Sequence, residues 1–202
     1  MKLTMYPKTR RYDDTAEIRI TEKLDGSNIS FFKKDGDLHI AQRNRVFKWA
    51  DIDKSMAYKG LIGWLDEYGK ELEDSLQDNA CVVGEWLGMG NIKYDSDIRF
   101  HMFAKANVYE EEMVNIYYDE KLFIYPFVDQ EIPEFIDVVP TVAIIKILPR
   151  IEELDELYDW YSETVKRDVE GFIIINDGAI TKYVRLKRGQ LENHYIHGQG
   201  KN

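Results

Sequence analysis

Four stretches of the chain carry side chains suited to phosphate chemistry, and the first is Lys23-Leu24-Asp25-Gly26-Ser27-Asn28. It follows an apolar alternation, Ile18 and Ile20, that reads as a strand running into a tight turn. A lysine at such a strand end lays its stem on the core and its amine at the mouth of whatever pocket the sheet builds. Asp25-Gly26 makes the turn, because glycine takes positive φ freely and aspartate bonds nearby backbone. Ser27 and Asn28 add short polar groups for an anion or for the next strand's first amides. Asp-Gly between apolar runs is also the mark of a plain hairpin, and on these six residues alone that reading is favoured.

The second stretch is Gly84-Glu85-Trp86-Leu87-Gly88, where a glutamate closes an apolar run. Such a carboxylate is costly to desolvate unless it bonds something, although an exposed strand-end glutamate is common. The third is Glu170-Gly171-Phe172-Ile173-Ile174-Ile175, an acid immediately before a buried strand. The fourth is Lys182-Tyr183-Val184-Arg185-Leu186-Lys187-Arg188. Strand alternation there puts Tyr183, Arg185 and Lys187 on one face and Lys182, Val184 and Leu186 on the other. Each stretch is a weak signal by itself.

The elements that must position these residues are mostly strands. Residues 16–23, 29–33 and 38–42 read as strands, the last two joined by a turn at Lys34-Asp35-Gly36-Asp37. Residues 55–76 read as a helix, with Leu61, Leu65, Tyr68 and Leu72 along one face, although Gly60, Gly63 and Gly69 weaken it. Residues 80–87, 99–108 and 121–128 read as further strands, with an acidic turn at 110–112 and an irregular connection between Pro133 and Pro140. Residues 151–166 read as a second helix, and 171–176 with 180–186 as a hairpin around Asp177-Gly178. From Gly189 the chain is polar and reads as a frayed tail, with docking through His194, Tyr195 and His197 as the alternative. The expected class is α+β with mainly antiparallel sheets.

Composition bounds the rest. The chain has 202 residues, 44% hydrophobic and 13% aromatic, enough for a packed core in one large domain. Its net charge of −10 argues against indiscriminate coating of nucleic acid. Basic residues nevertheless cluster at 8–11, 43–48 and 182–188, which permits a local anion site. The single cysteine, Cys81, excludes an intramolecular disulfide framework. No apolar stretch approaches the roughly 18 residues of a membrane span, so the expectation is a soluble, cytoplasmic protein without membrane partners.

Taken together and in order, the four stretches resemble the covalent nucleotidyltransferase superfamily of DNA ligases, RNA ligases and mRNA capping enzymes. The resemblance is closer to small phage-type, ATP-dependent RNA ligases, whose nucleophile motif reads Glu-Lys-x-x-Gly-Ser/Thr-Asn, as Glu22 to Asn28 does here. Arg43-Asn44 resembles the family's arginine element and Phe103 its base-stacking aromatic. The resemblance implies a ligase adenylation-domain fold of antiparallel sheets with flanking helices. It further implies that Lys23 attacks the α-phosphate of ATP to give a lysyl-AMP, with Mg²⁺, or Mn²⁺ in its place, as cofactor. AMP would then pass to an RNA 5′-phosphate, and a 3′-hydroxyl would attack that activated end. An unperturbed lysine, pKa ~10.4, is neutral at pH 7 in about one molecule in 2,500, so burial or nearby cations must help it.

By the same resemblance Glu170 would serve the metal, Glu85 the ribose, Glu22 the adenine amine and Phe103 the base face. Lys187, Lys182 and Arg185 would meet the phosphates, with Asn28 and Arg43 also in the nucleotide site. The chain departs from the common Lys-x-Lys final motif by reading Arg185-Leu186-Lys187, with Lys182 three residues earlier. It also has Ala104-Lys105 where an acidic partner often follows the stacking aromatic. The expected layout is one nucleotidyltransferase domain over residues 1–188 and a short polar tail over 189–202, without a C-terminal barrel. Two rival readings are another covalent nucleotidyltransferase, using GTP or sealing DNA, and a non-catalytic nucleotide- or RNA-binding module of the same fold.

Overall fold

The computed structural model describes residues 17–42, 45–53, 55, 57–110, 112–187 and 190–196, with only the backbone described beyond Arg185. It contains two sheets and two helices, an α+β arrangement in which all strand pairings but one within the sheets are antiparallel. In chain order the strands are β1 (Ile18–Lys23), β2 (Ser27–Lys34), β3 (Asp37–Gln42) and β4 (Arg45–Lys48), then helix α1 (Leu61–Ser75). Next come β5 (Ala80–Trp86), β6 (Phe100–Tyr109), β7 (Glu112–Tyr117), β8 (Ile136–Val138) and β9 (Thr141–Ile145). Helix α2 (Ile151–Val165) is followed by β10 (Gly171–Asn176), β11 (Ala179–Lys187) and β12 (Gln190–Ile196). One sheet runs β12-β11-β10-β1-β9 and the other β4-β3-β2-β5-β6-β7, with β8 added parallel to β6.

Each sheet buries one face under a helix. Leu61, Trp64, Leu65 and Leu72 of α1 recur at helical spacing and pack on Ile29, Phe31, Val82, Trp86 and Phe100. Leu154, Tyr158 and Tyr161 of α2 pack on Ile18, Ile20, Phe172, Ile174 and Tyr183. The opposite faces of the two sheets look toward each other across a cleft. Because β1 and β10 pair with Lys23 opposite Gly171 and Thr21 opposite Ile173, these residues share the cleft face. Glu22, opposite Phe172, therefore points the other way, under α2.

Three sequence expectations are corrected. The helix starts at Leu61 rather than at residue 55, because Gly60 sits in the left-handed region at φ 82° and breaks the run. Residues 121–128 form no strand: Glu120–Leu122 is a 3-10 turn, and Phe123 and Phe127, four apart, both bury into the α1 core. That spacing suits turns, whereas a strand would alternate every second residue. The frayed-tail expectation also gives way, since the backbone of Gln190–Ile196 pairs with β11, and main-chain hydrogen bonding needs no apolar signature. Strands β4, β7, β8 and β9 add short pairings that hydrophobic pattern did not mark.

A buried ion pair fastens α2's exit to β1. The Glu22 side chain is fully shielded, with Arg167 Nη1 2.6 Å from Oε1 and Nη2 2.7 Å from Oε2, while Tyr161 donates to Oε2 at 2.8 Å. Removing one partner of such a pair strands the other charge, which costs about 3–5 kcal/mol. Arg167→Met should therefore lower unfolding free energy by about that amount in urea titrations, and adding Glu22→Leu should restore most of it. Equal stability of the single and double variants would show that the pair contributes nothing.

Candidate active site

Lys23 ends β1 on the cleft face, and its Nζ lies 2.6 Å from Oε2 of Glu170, both side chains largely buried. The contact follows from register: Gly171 is the partner of Lys23, so the residue before it arrives beside the lysine. Glu85 reaches the same point from the other sheet, where β5 sets it opposite Asn28 of β2 and His101 of β6. Its carboxylate accepts from the Gly26 backbone and feels the charges of Lys23 and Glu170. Gly26 is needed there, because a Cβ would fall 2.5 Å from the Trp86 carbonyl oxygen and 2.9 Å from the Glu85 stem.

Burial governs the charges of this cluster. Desolvation pushes the Glu85 carboxyl up to about 7, partly offset by Lys23. Desolvation also raises Glu170, against the opposing hydrogen bond and charge of Lys23. Lys182, opposite Ile173 on β11, is close enough to lower the Glu170 carboxyl in turn. A cavity of about 240 Å³ opens from Lys23 and Glu85 between the sheets, with Phe103 and Ile173 on its walls and Phe123 and Val139 further in. Lys23 and Glu85 make one end charged, Glu120 adds a carboxylate on the wall, and the rest is mostly apolar, the usual make-up of a small-molecule site.

The turn carrying the nucleophile candidate is tied down by residues the sequence did not single out. Asp25 Oδ2 accepts from the backbone of Asn91 at 2.6 Å and of Ile92 at 3.0 Å, and its own N–H donates to the Tyr94 hydroxyl at 2.6 Å. Gly90 packs so closely that a Cβ there would meet the Asp25 carbonyl oxygen at 1.8 Å. The Tyr94 ring lies under the Arg167 guanidinium, 4.7 Å from its centroid. Arg167, Tyr94 and Asp25 thus join the α2 exit to the Lys23 turn. Their separation along the chain left no sequence signal.

Of the residues expected at the site, Lys23, Glu85 and Phe103 line the cavity, Glu170 reaches it through its ion pair with Lys23, and Lys182 lies on the same sheet face. Asn28 is exposed at the start of β2, in register with Glu85. Two expectations differ. The Glu22 carboxylate faces α2, bonded by Arg167 and Tyr161, rather than a base. Arg185 shares that α2 face with Tyr183 and pairs with Asp155 at 2.6 Å. Both differences follow from strand alternation, which sends neighbours to opposite faces. The Lys187 backbone closes β11 opposite Gln190, and its side chain, like all of Arg43, lies outside the described residues.

The model of the RNA ligase family matches residues 16–187. The chain belongs to the RNA ligase family. No curated protein matches its sequence. Among solved structures, a ligand-free mutant of the Naegleria gruberi RNA ligase superposes with a TM-score of 0.54 at 14% identity, covering 85% of this chain and 50% of that one. A mutant of the same enzyme with ATP and Mn gives 0.52 at 15% identity, covering 84% and 50%. At these identities the likeness is one of fold, and this RNA ligase family member spans about half the length of those solved relatives. Among the described residues, no helix is long and apolar enough to cross a membrane.

The raised Glu85 carboxyl has a consequence for stability. Its folded pKa lies above its unfolded value, so the folded state holds the extra proton and stability falls as pH rises from about 4.5 to about 7. Glu85→Gln removes that cost. Its melting temperature should exceed the parent's at pH 8, and the gap should close below about pH 4.5. A pH-independent difference would refute this account of the site.

Proposed function

We propose that the chain is the nucleotidyltransferase unit of an ATP-dependent RNA ligase, working through a covalent lysyl-AMP on Lys23. The observation that carries the reading is the Lys23 amine, held beside Glu170 and Glu85 at the charged end of an apolar cavity, in a member of the RNA ligase family. The two-sheet fold, shared with a ligase solved with ATP and Mn, supports it.

Lys23 Nζ attacks the α-phosphorus of ATP: an N–P bond forms, the bond to the β-phosphate oxygen breaks, and pyrophosphate leaves. The amine must first shed a proton. In the structure Glu170 Oε2 holds it in an ion pair, which fixes Nζ in place and has to open before attack. Lys182 faces the accumulating phosphate charge, and Lys187 is proposed beside it from its place in the motif. Phe103 and Ile173 take the base between the facing walls, and Glu85 takes the ribose. AMP then passes to an RNA 5′-phosphate, and a 3′-hydroxyl displaces it to seal the strand, with Arg43 proposed at the phosphate junction.

The residues present fit a divalent ion. Glu170 and Glu85 are two carboxylates whose burial disfavours their charge, and such charge is relieved by a hard cation. Their oxygens are the ligand type that Mg²⁺ or Mn²⁺ takes, and these two residues would hold it. Such an ion supplies charge stabilisation to the transferring phosphoryl group.

Incubation with α-labelled ATP and Mg²⁺ should leave acid-labile label on denatured protein, and Lys23→Ala should abolish it. Glu170→Ala and Lys182→Ala should keep the parent's melting behaviour within a few degrees yet lose about 10²-fold or more in labelling rate. Label that survives Lys23→Ala would move the nucleophile elsewhere. Absence of sealing on nicked, single-stranded and duplex RNA would remove the ligase assignment while leaving nucleotidyl transfer.

A further inference from the structure

The 3-10 turn at Glu120–Leu122 brings a carboxylate to the cavity wall that neither the motifs nor the catalytic cluster uses. Glu120 Oε1 forms an ion pair with Arg19 Nη1 at 2.8 Å and accepts from the Thr141 hydroxyl. Among the described residues, Oε2 has no hydrogen-bond partner. The side chain stands on rigid supports. Arg19 is largely buried and its other arm holds Asp119 at 3.3 Å, while Asp119 caps the turn by accepting from the Lys121 N–H at 3.1 Å. Phe123, next in the chain after the turn, is anchored in the α1 core.

Its position along the cleft is fixed by register. Thr141 is the Cα partner of Thr21, and Arg19 lies two residues further back on β1. Glu120 thus sits alongside β1 two to four residues before Lys23, roughly 7–13 Å from it at the usual strand rise. Between them the cavity offers Thr21, Phe103 and Ile173, walls that suit a flat aromatic ring. A nucleotide with its α-phosphate at Lys23 and its base between Phe103 and Ile173 would direct the outer edge of that base at Glu120.

We propose that Glu120 reads the exocyclic amine of the adenine base, accepting its hydrogen bond through Oε2. A carboxylate is an acceptor only, so it favours the amine that adenine carries at this edge and disfavours a base that turns a carbonyl toward it. The proposal rests on the nucleotidyl-transfer reading for where the α-phosphate lies. It gives the chain a base-selecting residue in place of Glu22, whose carboxylate is engaged under α2.

The test compares AMP with purine riboside 5′-monophosphate, which lacks only the amine, by calorimetric binding to the full chain, and separately scores the lysyl adduct with ATP by intact mass. A hydrogen bond to a charged acceptor corresponds to about a tenfold or greater preference for AMP in the parent. In Glu120→Ala the preference should fall to within about twofold, a double-mutant cycle on the amine. Glu120→Gln, which keeps the shape but weakens the acceptor, should fall between the two and serves if the alanine variant does not fold. A purely structural Glu120 would weaken both ligands equally, and an unchanged preference in either folded variant overturns the proposal. A parent that forms the adduct yet binds both ligands alike overturns the proposal and leaves nucleotidyl transfer standing. A preference lost on substitution in a protein that forms no adduct supports the proposal and removes nucleotidyl transfer.

Discussion

The antiparallel pairing of β1 with β10 is the constraint on which the rest depends. Its register sets Lys23 against Gly171 and so delivers Glu170 to the lysine amine without any dedicated loop. The same alternation divides adjacent residues between two environments. Lys23 and Thr21 face the cleft, while Glu22 and Ile20 face α2. A slip of one residue would exchange these sets, placing the lysine under the helix and the Glu22 carboxylate in the cleft. The buried pair of Glu22 with Arg167 opposes such a slip, since an unpaired carboxylate at that depth costs several kcal/mol.

The cleft concentrates charge where water is scarce. Lys23, Glu85 and Glu170 are each costly to desolvate, and the charge of Lys23, paired with Glu170 at 2.6 Å, attracts both carboxylates against their mutual repulsion. The fold accepts this cost because the helix-facing sides of both sheets carry large, well-packed apolar clusters, from Phe31 and Trp86 under α1 to Phe172 and Tyr183 under α2. Buried carboxylates with raised pKa values at the mouth of a cavity mark a functional site more readily than a structural one. Here the structural ion pairs, Glu22 with Arg167 and Arg185 with Asp155, lie on the other face of the same sheet.

Much of the candidate site was legible in sequence because its lysine and two glutamates each sit at or beside a strand end with a clear local pattern. Lys23, Glu85 and Glu170 could be singled out from such patterns, and Phe103 from the family resemblance alone. Contacts between segments far apart in the chain were not legible. Tyr94 and Arg167 lie in segments with no periodic signal, yet they brace the Lys23 turn. Glu120 lay at the edge of a stretch read as a strand, and only its pairing with Arg19 and Thr141 brings it to the cavity wall. In the same way the turn at 120–122 was missed, because Phe123 and Phe127 are apolar enough for a strand and only their spacing argues otherwise.

By itself the sequence determined the α+β class, both helices and the strand ends near Lys23, Glu85 and Glu170, since these depend on local periodicity and turn residues. Tertiary structure decided which side each of those residues faces. Lys182 and Arg185 read as equal candidates for phosphate until the β10 and β11 register put one on the cleft face and the other against Asp155. Glu22 read as part of the nucleophile motif until packing under α2 engaged its carboxylate with Arg167 and Tyr161. The physical reason is the same in both cases: a strand's period of two fixes alternation, but which face is cleft and which is core depends on what packs against it.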